Sequence, residues 1–64
     1  MSQESVAMVM ANCARAMIQA MGMQAENQVR AAAGLSAAYP EEAFSKLIEE
    51  NDLGYNSVIV LLRN

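Results

Sequence analysis

Side chains that could carry out chemistry are few and widely spaced in this 64-residue chain. Cys13 is the single cysteine, and the sequence contains no histidine. A reactive thiol needs a neighbouring base or a positively charged setting, and a zinc site needs several cysteine or histidine ligands. We therefore predict that Cys13 is a small, buried hydrophobic side chain. We expect no catalytic residue, no metal ion and no cofactor, and hence no enzyme.

Carboxylates are the second candidate group. Glu42 and Glu49 are seven residues apart, a spacing that places both on one helix face. Two carboxylates do not define a site, and segment 50–56 lacks the ligand spacing of an EF-hand calcium loop. We interpret the acidic cluster as a solvated surface, the alternative being an acidic surface that imitates nucleic acid and blocks a basic partner. Its members are Glu41, Glu42, Glu49, Glu50 and Asp52.

The charge balance argues against binding to a phosphate backbone. The formal net charge is −3, and the four basic residues are too dispersed to form the stripe that nucleic acid requires. An alternative hypothesis comes from segment 41–64, which has the outline of a helix–turn–helix with Gly54 in the turn. Because Arg63 is the only charged side chain in its second helix, we do not expect nucleic acid as a partner. The basic residues are Arg15, Arg30, Lys46 and Arg63.

The first half of the chain predicts one long helix from about residue 3 to residue 33. Ser2 is a suitable N-cap, Ala, Met, Gln, Glu and Arg favour helix throughout, and Gly34 provides a stop. Such a helix would be ~45 Å long at ~1.5 Å per residue. Gly22 is the position where we expect any kink.

Helical periodicity divides the surface of this long helix. At ~100° per residue the apolar side chains of its first half cluster on one face, opposite Asn12, Arg15 and Gln19. Gln24 and Gln28 continue that apolar line, and together with Asn27 they are either buried amides that fix register or ordinary surface. We predict that this face, the methionine surface, is an assembly interface. It consists of Val6, Val9, Met10, Cys13, Met17, Met21, Gln24 and Gln28.

The second half of the chain predicts two short helices. Pro40 at a first helical position starts a helix of residues 40–51, antiparallel to the long one. Segment 57–63 favours strand by propensity, but Asn56 or Ser57 as N-cap favours a short helix, which we predict. The expected fold is all-α, a single domain of residues 1–64. Its core should be closed by Phe44, Leu47, Ile48, Val58, Leu61 and Leu62.

These lengths predict a homodimer. About 20 residues of short helix cannot cover both faces of the long helix, and a second copy is the simplest cover for what remains. Five of the six methionines lie in the long helix. We interpret them as core or dimer seam, the alternative being an adaptable groove for helices of another protein.

The N-terminal segment resembles neither a secretion signal nor a membrane anchor. Residues 1–4 carry no positive charge, and Asn12 and Arg15 interrupt the apolar run before the ~20 residues that a span requires. The lone cysteine fits a reducing compartment. We therefore expect a cytoplasmic protein without membrane contact.

One resemblance accompanies these patterns. The run ARAMIQAMGMQAENQVR (Ala14–Arg30), followed by YPEEAF and LIEEN, resembles the small helical accessory proteins encoded in the early regions of lambdoid bacteriophages. The resemblance implies a non-enzymatic cytoplasmic protein that modulates host or phage processes by binding other proteins. Together with the patterns above, it leads us to expect a homo-oligomeric protein–protein interaction module, the alternative being a small DNA-associated regulator.

Overall fold

The computed structural model describes residues 2–63 and contains three helices. They are α1 (Gln3–Ala32), α2 (Glu41–Glu50) and α3 (Tyr55–Arg63). The expected all-α fold with a long N-terminal helix is confirmed, and no strand occurs within residues 2–63. The tail is a helix because Val58, Leu61 and Leu62 fall on one helical face that packs on α1.

Both ends of α1 follow local signals in the sequence. Ser2 is extended and its Oγ accepts a hydrogen bond from the backbone N–H of Ser5 at 3.0 Å. At the other end Gly34 has a φ of 75°, the left-handed conformation that glycine adopts at low cost. The N–H of Leu35 then donates to the carbonyl of Arg30 at 2.8 Å, which completes a Schellman motif. Between these caps α1 passes through Gly22 without interruption.

The start of α2 lies one residue later than expected. Pro40 is extended and occupies the N-cap position, so the helix begins at Glu41. Its end is a second Schellman motif, in which the N–H of Leu53 donates to the carbonyl of Ile48 at 2.7 Å. Here the left-handed position is taken by Asp52, with a φ of 55°. A non-glycine residue in this conformation carries a steric cost.

The start of α3 differs from the expected caps. Gly54 ends the preceding turn, and its carbonyl accepts the N–H of Val58 at 3.0 Å. The helix therefore begins at Tyr55. Asn56 and Ser57, which we expected as N-caps, lie inside its first turn.

The two short helices lie end to end along α1 and run antiparallel to it. Tyr39, just before α2, is hydrogen-bonded to Asn27, whereas Asn51, just after α2, is hydrogen-bonded to Gln19. α3 continues towards the N-terminal end of α1. Both short helices pack on α1, and within residues 2–63 they do not pack on each other. The Cα positions span 48 × 17 × 9 Å, so the molecule is a thin two-layer plate.

The core of this plate is small and more polar than expected. Leu47 is the one buried hydrophobic side chain within residues 2–63. Phe44, Val58, Leu61 and Leu62 are half-buried, and Ile48 is 50% exposed, so the prediction that Ile48 closes the core is wrong. Ile48 follows Leu47 by one residue, about 100° around α2, and this rotation turns it away from α1.

The side of α1 on which the short helices pack also differs from the prediction. We expected Asn12 on the solvent-facing side, but its side chain is only 8% exposed. Ser5 is likewise buried, and Ala16 and Asn27 on the same face are half-buried. The short helices thus cover a face of small and amide side chains, and they leave the methionine surface open.

Candidate interaction surface

Hydrogen bonds from side chains of α1 hold the loop between α1 and α2 in place. The Nδ2 of Asn27 donates to the carbonyl of Tyr39 at 2.9 Å, and the N–H of Tyr39 donates to the Oδ1 of Asn27 at 3.0 Å. One turn further along α1, the Nε of Arg30 donates to the carbonyl of Ser36 at 2.7 Å. These bonds fix the direction in which the chain returns along α1.

A second amide holds the end of α2 against the middle of α1. Asn51 is 3% exposed, and its Nδ2 donates both to Oε1 of Gln19 at 2.8 Å and to the carbonyl of Leu47 at 2.9 Å. A buried amide is tolerated only when such partners are present. Because Gln19 lies on the flank of α1 opposite Met10, Met17 and Met21, this bond holds α2 near that flank.

The predicted interface residues are consequently brought together on one surface and remain largely uncovered. Met10, Met17 and Met21 are each about two-thirds exposed. Cys13, Gln24 and Gln28 are exposed too, while Val6 and Val9 are half-buried. The expectation that Cys13 is buried is wrong for the single chain, because Cys13 lies on a part of α1 that neither short helix reaches.

A second uncovered strip of α1 was absent from the predicted interface. Ile18 is 71% exposed and Val29 is 66% exposed. Together with Ala7, Ala14 and Ala25 they form a line at helical spacing, which we call the alanine ridge. The sequence already places Ala25 and Val29 on a helical line from Ile18, which indicates that the two halves of α1 contact different neighbours.

The total exposed surface is large for a chain of this mass. Folded monomers follow A ≈ 6.3 M^0.73, which for 6.9 kDa gives roughly 4,000 Å². The molecule exposes 4869 Å². The excess is on the order of 900 Å², close to the ~800 Å² that each partner buries in a standard protein–protein interface.

Side chains that could bind a metal ion are not clustered in the described part of the chain. Within residues 2–63, no three His, Cys, Asp or Glu side chains come close enough to hold a metal ion. The largest grooves are open to solvent; one of them runs between α1 and α2 beside Gly22, Lys46 and Glu50. The feature of the structure with the clearest capacity for an interaction is therefore the uncovered apolar surface.

Length and composition also make α1 a helix that could cross a membrane, with only 6% of its most apolar stretch buried. Core helices of soluble proteins and N-terminal signal sequences meet the same criterion. Comparison with protein-family models gives no match, and no curated protein or solved structure matches the chain.

Proposed function

We propose that the protein is a non-enzymatic interaction module that assembles with a second copy of itself through the methionine surface. The observation that carries the proposal is the exposure of Met10, Met17 and Met21 in a molecule whose surface exceeds that of a compact monomer by about one interface. A core with one buried hydrophobic side chain in the described residues adds to the case. Chains of this size commonly gain stability by oligomerising.

A substitution at the centre of the methionine surface tests this proposal. Met17→Glu places a charge where a second copy would exclude water, and burying an unpaired charge is costly. Arg15→Gln is the matched control. It lies two residues away on the opposite flank of α1 and changes the net charge by the same amount. We expect the homodimer dissociation constant to rise at least tenfold for Met17→Glu and less than twofold for Arg15→Gln in sedimentation velocity. Equal effects of the two changes would contradict the proposal.

A lipid bilayer is the other occupant that α1 admits by length and composition. Two features favour a protein partner instead. Arg15 and Glu26 lie within α1, and a charged side chain at the centre of a bilayer costs ~2.5–3.5 kcal/mol or more. A buried α1 would also have to release the hydrogen bonds of Asn27 and Gln19. Flotation with phosphatidylcholine vesicles separates the two occupants, since a homodimer should remain in the lipid-free fraction.

The DNA-regulator alternative receives less support from the fold. In a helix–turn–helix the two helices pack on each other, whereas α2 and α3 pack separately on α1. That alternative predicts salt-dependent DNA binding that weakens when Lys46 and Arg63 are replaced by alanine. Absence of binding at low salt would end it.

We further propose, on the resemblance to phage accessory proteins, that the module acts in the cytoplasm on another host or phage protein. The alanine ridge is the surface that remains for such a partner once the methionine surface is covered. Affinity purification with the wild-type chain and with Ile18→Lys tests this role. A specific partner should be retained by the first and lost from the second, and retention by both would contradict a role for the ridge.

A further inference from the structure

The two broad sides of the plate differ in chemistry, and two open grooves identify which residues lie on which side. One groove brings Gln19 of α1 beside Lys46 and Glu50 of α2. The other brings Met8 of α1 beside Ser57 of α3. Because Met8 and Gln19 share one flank of α1, both grooves open on the same broad side of the plate.

Charged residues of α1 gather on this grooved side, which we call the polar side. Glu4, Arg15 and Glu26 fall within about a quarter-turn of Met8 and Gln19 on the helix surface. Lys46 and Glu50 continue the charged surface on α2. A contact between two polar sides would therefore have to take these charged side chains out of water, which is costly.

The opposite broad side, which we call the apolar side, receives residues from all three helices. On α1 its centre is formed by Val6, Cys13 and Met17, and no charged residue of α1 shares their flank. On α2, Ile48 lies half a turn from Lys46 and Glu50 and is 50% exposed. On α3, Ile59 lies nearly half a turn from Ser57 and is half-buried. The methionine surface is thus one half of a wider apolar side.

We infer that the homodimer forms by face-to-face contact of two apolar sides, so that Ile48 of α2 and Ile59 of α3 belong to the interface together with Met17 of α1. This inference rests on the proposed function, because it specifies how the two copies meet.

Area and charge support a second copy as the occupant. A side about 48 Å long and 17 Å wide matches the ~800 Å² per partner of a standard interface. The alanine ridge, by comparison, is one helix wide and built mainly from small side chains. A two-fold axis sets each patch against its own copy. The part of the apolar side that α1 forms carries no charged residue and meets no charge repulsion there, while Glu41 lies on the Ile48 flank at the start of α2.

Lysine substitutions at three exposed positions distinguish this arrangement from a dimer formed by α1 alone. Ile48→Lys changes the apolar side on α2, Ser45→Lys is a control with equal charge on the outer face of α2, and Ile18→Lys changes the alanine ridge. We expect the dimer dissociation constant to rise at least tenfold for Ile48→Lys, and less than twofold for Ser45→Lys and Ile18→Lys. A wild-type dimer that Met17→Glu dissociates and Ile48→Lys leaves intact would overturn the inference but not the proposed function, and dissociation by Ile18→Lys would contradict both. A wild-type monomer would overturn both.

A photocross-link keeps the inference testable if Ile48→Lys unfolds. Tyr55 is 79% exposed at the start of α3, and its replacement by p-benzoylphenylalanine conserves an aromatic side chain. Tyr55 lies on the apolar side near the middle of the plate, so irradiation should yield a covalent dimer. The same photoreactive residue at Ser45 should yield none. Absence of a cross-linked dimer from position 55 in a chain that sediments as a dimer would contradict the face-to-face arrangement.

Discussion

The side-chain amide of Asn27 pairs with the backbone of Tyr39 twelve residues later, donating to its carbonyl at 2.9 Å and accepting from its N–H at 3.0 Å. A side chain on α1 thereby satisfies both backbone groups of the residue that precedes Pro40 and α2. The pairing sets where the chain turns back and which flank of α1 it follows. It is one of three polar contacts that hold the short helices and their loop on the side of α1 away from Met10, Met17 and Met21.

Replacing this amide with a carboxylate should weaken the turn. Asn27→Asp keeps an acceptor for the Tyr39 N–H but sets an oxygen against the Tyr39 carbonyl, with an expected loss of about 1–2 kcal/mol in the free energy of unfolding. Urea unfolding at a fixed protein concentration measures it, because the stability of an oligomer depends on concentration. The matched control is Asn56→Asp in the first turn of α3, where a carboxylate suits the helix dipole and should change stability by less than ~0.5 kcal/mol. Equal losses would contradict a specific role for Asn27.

The hydrogen bond between Asn51 and Gln19 should appear as a coupling energy. Asn51→Leu leaves Gln19 without its partner and should cost about 2 kcal/mol, whereas Gln19→Met should cost about 1 kcal/mol. The double variant should lose less than the sum of the two by at least ~0.5 kcal/mol, since neither partner remains unpaired. Strict additivity in a double-mutant cycle would show that the two amides do not interact.

Replacing each of two glycines by alanine should change the free energy of unfolding in opposite directions. Gly22 lies inside α1 with nothing within 4 Å of an added Cβ, so Gly22→Ala should raise the free energy of unfolding by about 0.5–1 kcal/mol. Gly34 has a φ of 75°, and Gly34→Ala should lower it by about 1 kcal/mol. Thermal melts of both variants at one concentration provide the comparison. A loss at Gly22 would indicate that a partner approaches α1 closely at this position.

Asp52 provides a converse case, a non-glycine residue at the left-handed end of α2. Asp52→Gly removes the steric cost of a φ of 55° and should stabilise the fold by about 0.5–1 kcal/mol. Ser45→Gly in the middle of the same helix is the control and should destabilise it by a similar amount. If both glycines destabilise, the conformation of Asp52 carries no strain that glycine can relieve.

The sequence predicts those parts of the fold that local signals determine. Ser2, Gly34 and the helix formers between them specify α1 through contacts only a few residues apart, and the structure agrees within one residue at its C-terminal end. The second helix was found in the same way from Pro40 and the glutamates that follow it. Such signals act within one or two helical turns, so they can be recognised without knowledge of the tertiary fold.

The side of α1 that the short helices cover could not be found in this way. The side that is covered depends on hydrogen bonds between residues far apart in the sequence. Asn27 bonds to a residue twelve positions away and Asn51 to one thirty-two positions away, whereas helical periodicity identifies these side chains only as polar. The wrong prediction for Ile48 has the same cause. Its apolar side chain suggested a place in the core, but its position around α2 directs it outwards. The tertiary fold buries Asn12 and exposes Met17, whereas the hydrophobic pattern alone predicts that Asn12 is exposed and Met17 is buried.

Sedimentation equilibrium of the wild-type chain tests the central claim most directly. The mass of one chain is 6.9 kDa, and an assembly through the apolar side predicts a mass twice as large at micromolar concentration, with a helical circular dichroism spectrum. Dilution should lower the mass and the helix content together, since a plate with so small a core depends on its partner. A mass of one chain at every concentration, with the helical spectrum intact, would contradict the account.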